Sequence, residues 1–251
     1  MKTKIIHSAI ILAAILFSTP VTTKAQPGFR TDVDANGTVN VSDVSSLISF
    51  ILGRVSDDAV TEGLCPNALH PHVIDLGLPS GTKWTCCNIG AENPLEYGDY
   101  YSWGENITKN RYGIDDYFYY NSDEGTYDEL GNIAGTTCDV ATIKWGSEYT
   151  MPSYVQFYEL LNNCTKTWTT INGVYGRLLT ASNGQKIFFP ANGIYDGTNY
   201  VQNAGYAGNY WSSEQVSDQS HAFALYLHSD RIYITQNWDR YAGCSIRPVS
   251  K

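Results

Sequence analysis

From about His70 onward the apolar residues come in short runs of β-forming type, each cut off by Gly, Asn, Asp or Ser. The runs are Val73-Ile74-Asp75-Leu76, Thr82-Lys83-Trp84, Lys186-Ile187-Phe188-Phe189, Ala222 to Leu227, Arg231 to Thr235 and Ser245 to Val249. One helix interrupts them. Pro152 and Ser153 open it, and Gln156, three residues after Ser153, completes a capping box. Val155, Phe157, Tyr158, Leu160 and Leu161 then predict a broad apolar face. Many short strands around one or two helices make an α+β domain. No internal repeat recurs at a fixed period.

Composition narrows the function classes. The chain has 251 residues, 43% of them hydrophobic and 16% charged, with a formal net charge of −9. Six Trp, eight Phe and nineteen Tyr carry too much apolar area for a disordered chain. The acidic balance argues against nucleic acid, because no basic run could neutralise phosphates. There is no Walker A loop, no G-x-G-x-x-G opening a helix, no H-E-x-x-H and no G-x-S-x-G.

Residues 1–25 read as a cleavable secretory signal. Lys2 and Lys4 precede the apolar run Ile5 to Phe17, and Thr23-Lys24-Ala25 ends in small residues. The run is short of the ~20 residues a membrane span takes. No Cys stands at the cleavage point to take a lipid, and no later stretch is long and apolar enough to span, so the mature chain is expected in the periplasm, at the outer surface or outside the cell. Cleavage removes three Lys and no acid, moving the net charge from −9 to −12. The six cysteines (Cys65, Cys86, Cys87, Cys138, Cys164 and Cys244) then face a compartment that permits disulfides. Six allow 15 full pairings, and none has C-x-x-C spacing, which weakens zinc and redox readings. Cys86 and Cys87 are adjacent and should point to opposite faces if extended.

The sharpest chemistry lies just beyond the cleavage point. Residues 32–43 place side-chain oxygens at loop positions 1, 3, 5, 9 and 12: Asp32, Asp34, Asn36, Asn40 and Asp43. Gly37 falls at position 6, where the chain must turn, and Thr38 at position 7 offers its carbonyl. A 12-residue loop wraps oxygens around Ca2+ by this spacing, although position 12 is Asp43 rather than the bidentate Glu of sensor EF-hands. Val44, Leu47, Ile48, Ile51 and Leu52 follow at helical spacing and stop at Gly53. The whole is expected to be a single EF-hand-like calcium loop and helix.

Asp32 to Gly53 resembles one calcium-binding repeat of a type I dockerin. In that family two repeats normally pair and plug into a cohesin module to assemble polysaccharide-degrading enzymes. The resemblance implies Ca2+ as cofactor and a cohesin-like or surface protein as partner. It covers about 22 residues, no second loop follows, and Val41-Ser42 stand where family members often carry hydroxyl pairs. The expected organisation is a signal at 1–25, a dockerin-type repeat at 26–54, a linker at 55–69 and one domain at 70–251.

Several words of that last domain resemble the Fibrobacter succinogenes major paralogous domain, a family of secreted bacterial modules. They are Asp75-Leu76-Gly77-Leu78 with Trp84, Cys87-Asn88-Ile89-Gly90-Ala91, Tyr97-Gly98-Asp99-Tyr100 and Trp103-Gly104-Glu105. The series continues with Met151-Pro152-Ser153, with Phe157 and Glu159-Leu160, then Phe189-Pro190-Ala191-Asn192-Gly193, Tyr210-Trp211-Ser212-Ser213 and Gly243 to Val249. The resemblance implies a C-type-lectin-like fold, distantly related to the formylglycine-generating enzyme fold.

Tyr supplies 19 of 33 aromatic residues, and eight lie between Tyr97 and Tyr127. An apolar face with a polar tip suits stacking on sugar rings, and it equally suits packing a strand-rich core. Enzyme readings find less support. Glycoside hydrolysis needs two carboxylates across a cleft, and no spacing selects a pair from Glu105, Asp115, Asp116, Glu124, Glu159 and Glu214. Cys244 lacks the second nearby Cys a formylglycine-type oxidase would need. His221 and His228, seven apart on a strand, would point opposite ways. Arg247 reads as a structural bridge from strand to loop. The expectation is a secreted, non-catalytic module that binds Ca2+ and recognises a glycan or a surface partner, serving polysaccharide use. A structural protein binding other subunits and a polysaccharide-degrading hydrolase are the alternatives. With two residues after Val249 in this sequence, no C-terminal sorting domain is expected.

Overall fold

The computed structural model describes Leu64, Cys65 and residues 71–250. The loop residues Asp32, Asp34, Asn36, Thr38, Asn40 and Asp43, like the signal segment, lie outside these. Among the described residues twelve strands fall into four small sheets: β1 (Val73–Ile74), β2 (Lys83–Thr85), β12 (Val249–Ser250) and β5 (Tyr149–Thr150) form one, in the order β1-β2-β12-β5. β6 (Cys164–Ile171), β7 (Val174–Ala181) and β8 (Lys186–Pro190) follow one another in the second. β9 (Ala207–Gln215), β10 (His221–His228) and β11 (Ile232–Asp239) make the third, with β10 central. β3 (Tyr120–Asn121) and β4 (Thr126–Tyr127) form a two-stranded ribbon. Pairing between strands is antiparallel throughout. Among the described residues two α-helices, α1 (Val140–Trp145) and α2 (Tyr154–Asn163), join these sheets in an α+β architecture.

The local reasons are legible. The Ser153 side chain accepts from Gln156 N while Gln156 Oε1 accepts from Ser153 N, so the capping box opens α2 as expected. Its apolar face is narrower than expected: Phe157, Leu160 and Leu161 are buried, whereas Val155 and Tyr158 are exposed. α1 starts at Asp139, whose carboxylate accepts from Ala141 N and Thr142 N and also from Met151 N. The β6–β7 hairpin turns on Asn172-Gly173, both at positive φ (48° and 83°), the two-residue loop whose twist matches the flanking strands. In β10 the register shifts between Ala222 and Ala224. The extra residues lie on β9 and β11, and half-buried Phe223, opposite in face to the buried Ala222 and Ala224, stacks on Tyr154 of α2 at 5.0 Å.

Trp84, Phe157, Leu160, Leu179, Phe189, Tyr210 and Leu225 anchor the main core cluster between α2 and the sheets. A second cluster holds Tyr101, Trp103, Trp211 and Ile246 with Val140 and Ala141 of α1. Cys86 and Cys87 both lie in the first cluster, against the expectation of opposite faces: β2 ends at Thr85, and the chain bends there, so strand alternation no longer applies. Leu64 and Cys65, within the expected linker, are buried too. No helix among the described residues is long and apolar enough to cross a membrane.

Candidate functional site

The loop Gly104–Tyr119 lines a cleft of about 480 Å3. The loop leaves the core at Trp103, which is fully buried and whose indole N–H donates to Ser212 O at 2.8 Å, and enters the lining at Gly104, at φ 83°. A Cβ on Gly104 would lie 3.0 Å from Leu130 Cδ1 and 3.2 Å from Tyr119 Cε2, so the tight turn that presents Glu105 needs glycine.

Glu105 is the pivot. Its side chain is only 5% exposed; Oε1 accepts from Phe118 N at 2.7 Å, and Oε2 is ion-paired with Lys109 Nζ. Lys109 also donates to Asp116 O and stands 5.8 Å from the centre of the Tyr117 ring. The carboxylate therefore ties both ends of the loop together. Asp115 and Asp116, in a single 3-10 turn (Ile114–Asp116), are exposed at the cleft, and Arg111 pairs with Asp116 at 3.1 Å. Phe118, 80% exposed, stands edge-on to Tyr119 at 5.0 Å, and Ile107 is 61% exposed.

Beneath the cleft Tyr117 is anchored twice: its O–H donates to Trp103 O at 2.8 Å and accepts from Arg240 Nε at 2.9 Å. Burial pushes the Tyr117 phenol well above its ordinary value, against the pull of Arg240. Arg240 is fully buried and lies over Trp103, Tyr117 and Tyr127, 4.7, 5.5 and 5.8 Å from the ring centres. Burial, helped by a hydrogen bond with Cys138, also raises the Tyr119 phenol.

Of the eight tyrosines between Tyr97 and Tyr127, none is exposed. Tyr112 O–H donates to Tyr100 O, Tyr100 O–H to Asn192 O and Tyr101 O–H to Asp99, so their polar tips fasten loops. The exposed ring at the cleft is Phe118, which no tyrosine count could have singled out. Glu105, Asp115 and Asp116 come together at the cleft, whereas Glu159 accepts from Ser80, Glu214 accepts from Tyr154 N, and Glu124 is exposed beyond the lining. His221 meets Asp218 and Asp239, and His228 meets Asp230, at opposite ends of β10. Arg247 is a structural bridge, donating to Asn88 Oδ1, Thr85 O, Cys86 O and Phe188 O.

The cleft carries three carboxylates, of which Glu105 is paired with Lys109 and Asp116 with Arg111, leaving Asp115 the uncompensated one. Such a lining repels anions, accepts hydrogen bonds from hydroxyl groups and offers an aromatic ring at the rim.

No family model, no curated protein and no solved structure matches this chain.

Proposed function

We propose that the chain is a secreted recognition module whose 70–251 domain, of C-type-lectin-like type, binds a neutral glycan at the Gly104–Tyr119 cleft. A dockerin-type loop at Asp32, Asp34, Asn36, Thr38, Asn40 and Asp43 holds Ca2+ in this reading and docks a cohesin-like or surface protein. The observation that carries the reading is the pairing of an exposed Phe118 ring with the acidic cleft. Sugar rings present C–H faces that stack on aromatic rings and hydroxyls that donate to carboxylates. The resemblance of the domain draws support from where its words fall: Trp84, Trp103, Phe157, Trp211 and Arg247 are all fully buried.

The test is a glycan-array screen of the full mature chain, followed by calorimetry with the best neutral oligosaccharide. Phe118→Ala and Asp115→Asn should each weaken binding about tenfold, the cost of one stacking or charge-assisted contact. Glycan binding that ignores both substitutions removes the cleft from the proposal. Release of reducing ends from the bound oligosaccharide would establish the hydrolase alternative instead.

A further inference from the structure

Far from the cleft in sequence, three ligand-bearing side chains converge at the start of the domain. Cys65, His72 and Cys86 each offer one sulfur or imidazole nitrogen, and these atoms all lie within 4.8 Å of one another. Cys65 and Cys86 are buried and His72 is half-buried. The convergence is built by the β1–β2 pairing. His72 and Cys86 flank the Val73↔Thr85 register, Cys86 N donates to His72 O at 2.8 Å, and His72 N donates to Cys86 Sγ at 3.3 Å. The Cys87 thiol shares a hydrogen bond with Cys86.

We propose that Cys65, His72 and Cys86 form a binding site for Zn2+ or a similarly thiolate-seeking divalent ion. With Zn–S about 2.3 Å and Zn–N about 2.0 Å, the edges of a tetrahedral site are roughly 3.5–3.7 Å. Atoms already gathered within 4.8 Å need to contract by about 1 Å at most, a matter of side-chain rotation. The charge also balances. The divalent ion enters as the Cys65 and Cys86 thiols release two protons to solvent, so the site stays neutral and the apolar core gains no net charge. Arg247, donating to the carbonyls of Thr85 and Cys86, places a fixed cation near the two sulfurs, and the entering ion itself supplies the charge that offsets their burial. The fourth corner falls to water or to Cys87.

The donor set decides the ion class. Two soft sulfurs and an imidazole select zinc-like ions and reject Ca2+, which requires six to eight oxygens. The site is thus chemically orthogonal to the oxygen loop at 32–43. A disulfide between Cys65 and Cys86 would need two sulfurs alone; the converging imidazole and the neighbouring third sulfur are what favour a metal.

The experiment titrates the full mature chain, reduced and folded, with Co2+ alone, then displaces it with Zn2+. One equivalent of Co2+ should give thiolate charge-transfer and tetrahedral ligand-field bands that Zn2+ bleaches. Cys86→Ser should abolish the charge-transfer band. His72→Ala, at a half-buried position where the fold should persist, should weaken binding more than about 100-fold, beyond the 10–100-fold cost of an outer-sphere partner. Cys138→Ser and Asp32→Ala should leave the bands unchanged. A folded, reduced chain that gives no thiolate band overturns the site, as does a Co2+ band that survives both Cys86→Ser and His72→Ala. A Cys65–Cys86 disulfide in the secreted chain overturns it as well if the reduced chain takes up no metal.

Discussion

Arg240 and Arg247 are both fully buried, and both meet neutral acceptors, yet the two regions stabilise them by different means. Arg247 spreads its guanidinium over four oxygens, from Asn88, Thr85, Cys86 and Phe188, with the Phe189 ring 4.8 Å away. Arg240 has three hydrogen bonds, to Tyr117 Oη and the carbonyls of Asp128 and Gln219. Its Nη2 has no hydrogen-bond partner among the described residues, and the charge lies over three ring faces instead. A buried cation can be held by carbonyl dipoles or by aromatic quadrupoles. The first solution ties distant strands into one unit, because Arg247 near the end of the domain joins two separate segments, residues 85–88 and Phe188 of β8. The second props up a loop, the one that lines the cleft.

The comparison can be broken by substitution, and the largest effect should come from Arg247. Arg247→Met leaves four buried acceptors unsatisfied at about 1–3 kcal/mol each, so a loss of about 4 kcal/mol or more is expected in urea unfolding. A loss under about 1 kcal/mol would show that water reaches those oxygens. Arg240→Lys should cost about 2 kcal/mol, since an ammonium still faces the rings but cannot fork to Tyr117, Asp128 and Gln219. That variant should also loosen the cleft, which ligand calorimetry would register. Arg177, largely buried, repeats the pattern at smaller scale: it donates to His228 O and Ser229 O and stands 5.8 Å from the Trp168 ring. Burial lowers its pKa, with Asp230 partly restoring it. Arg177→Lys should cost about 1 kcal/mol by thermal unfolding.

Alkali tests both arginine environments at once. Burial raises the phenols of Tyr117, beside Arg240, and Tyr210, near Arg247, and pushes Tyr112 up to about 12. An acid whose pKa is higher folded than unfolded stabilises the fold below the ordinary value of 10, and that contribution is lost as pH rises through the folded value. Buried phenols should therefore resist ionisation until the far-ultraviolet signal is lost between about pH 10 and 12. Phenolate absorbance that completes before that loss would contradict the burial. The smallest effect belongs to Asp230, exposed, whose carboxyl is held below 3.8 by the hydrogen bond from His228. Its contribution is present above 3.8 and fades as pH falls through the lower folded value. Asp230→Asn should be near-silent in stability, while carboxyl NMR titration of the parent should show the depressed midpoint.

Much of the fold was open to reading because its signals are local. The Ser153–Gln156 box, Trp84 in β2, and the apolar runs of β8, β10 and β11 all announce themselves within a few residues. The β6–β7 hairpin went unread although Asn172-Gly173 is a strong turn signal, because β6 is mostly exposed and Thr-rich and offers no apolar alternation. β9 hides for another reason: Tyr210 and Trp211 are core residues, but Gly208, Asn209, Ser212 and Ser213 on either side are buried too, so no apolar alternation marks the strand. The site was half legible. Glu105, Asp115 and Asp116 were visible as carboxylates, but only a loop closed by the Glu105–Lys109 pair gathers them, and Phe118 carries no local mark. The grouping of Cys65, His72 and Cys86 is invisible without C-x-x-C spacing, because strand pairing, not sequence distance, assembles it.

The first sheet seats β12 between β2 and β5, so the last strand of the domain is an interior one. A growing chain cannot close that sheet while Val249 and Ser250 are still inside the ribosome. Synthesis order therefore keeps the domain unzipped until its final residues emerge, and a few missing residues at its tail would unfasten strands whose codons were read first.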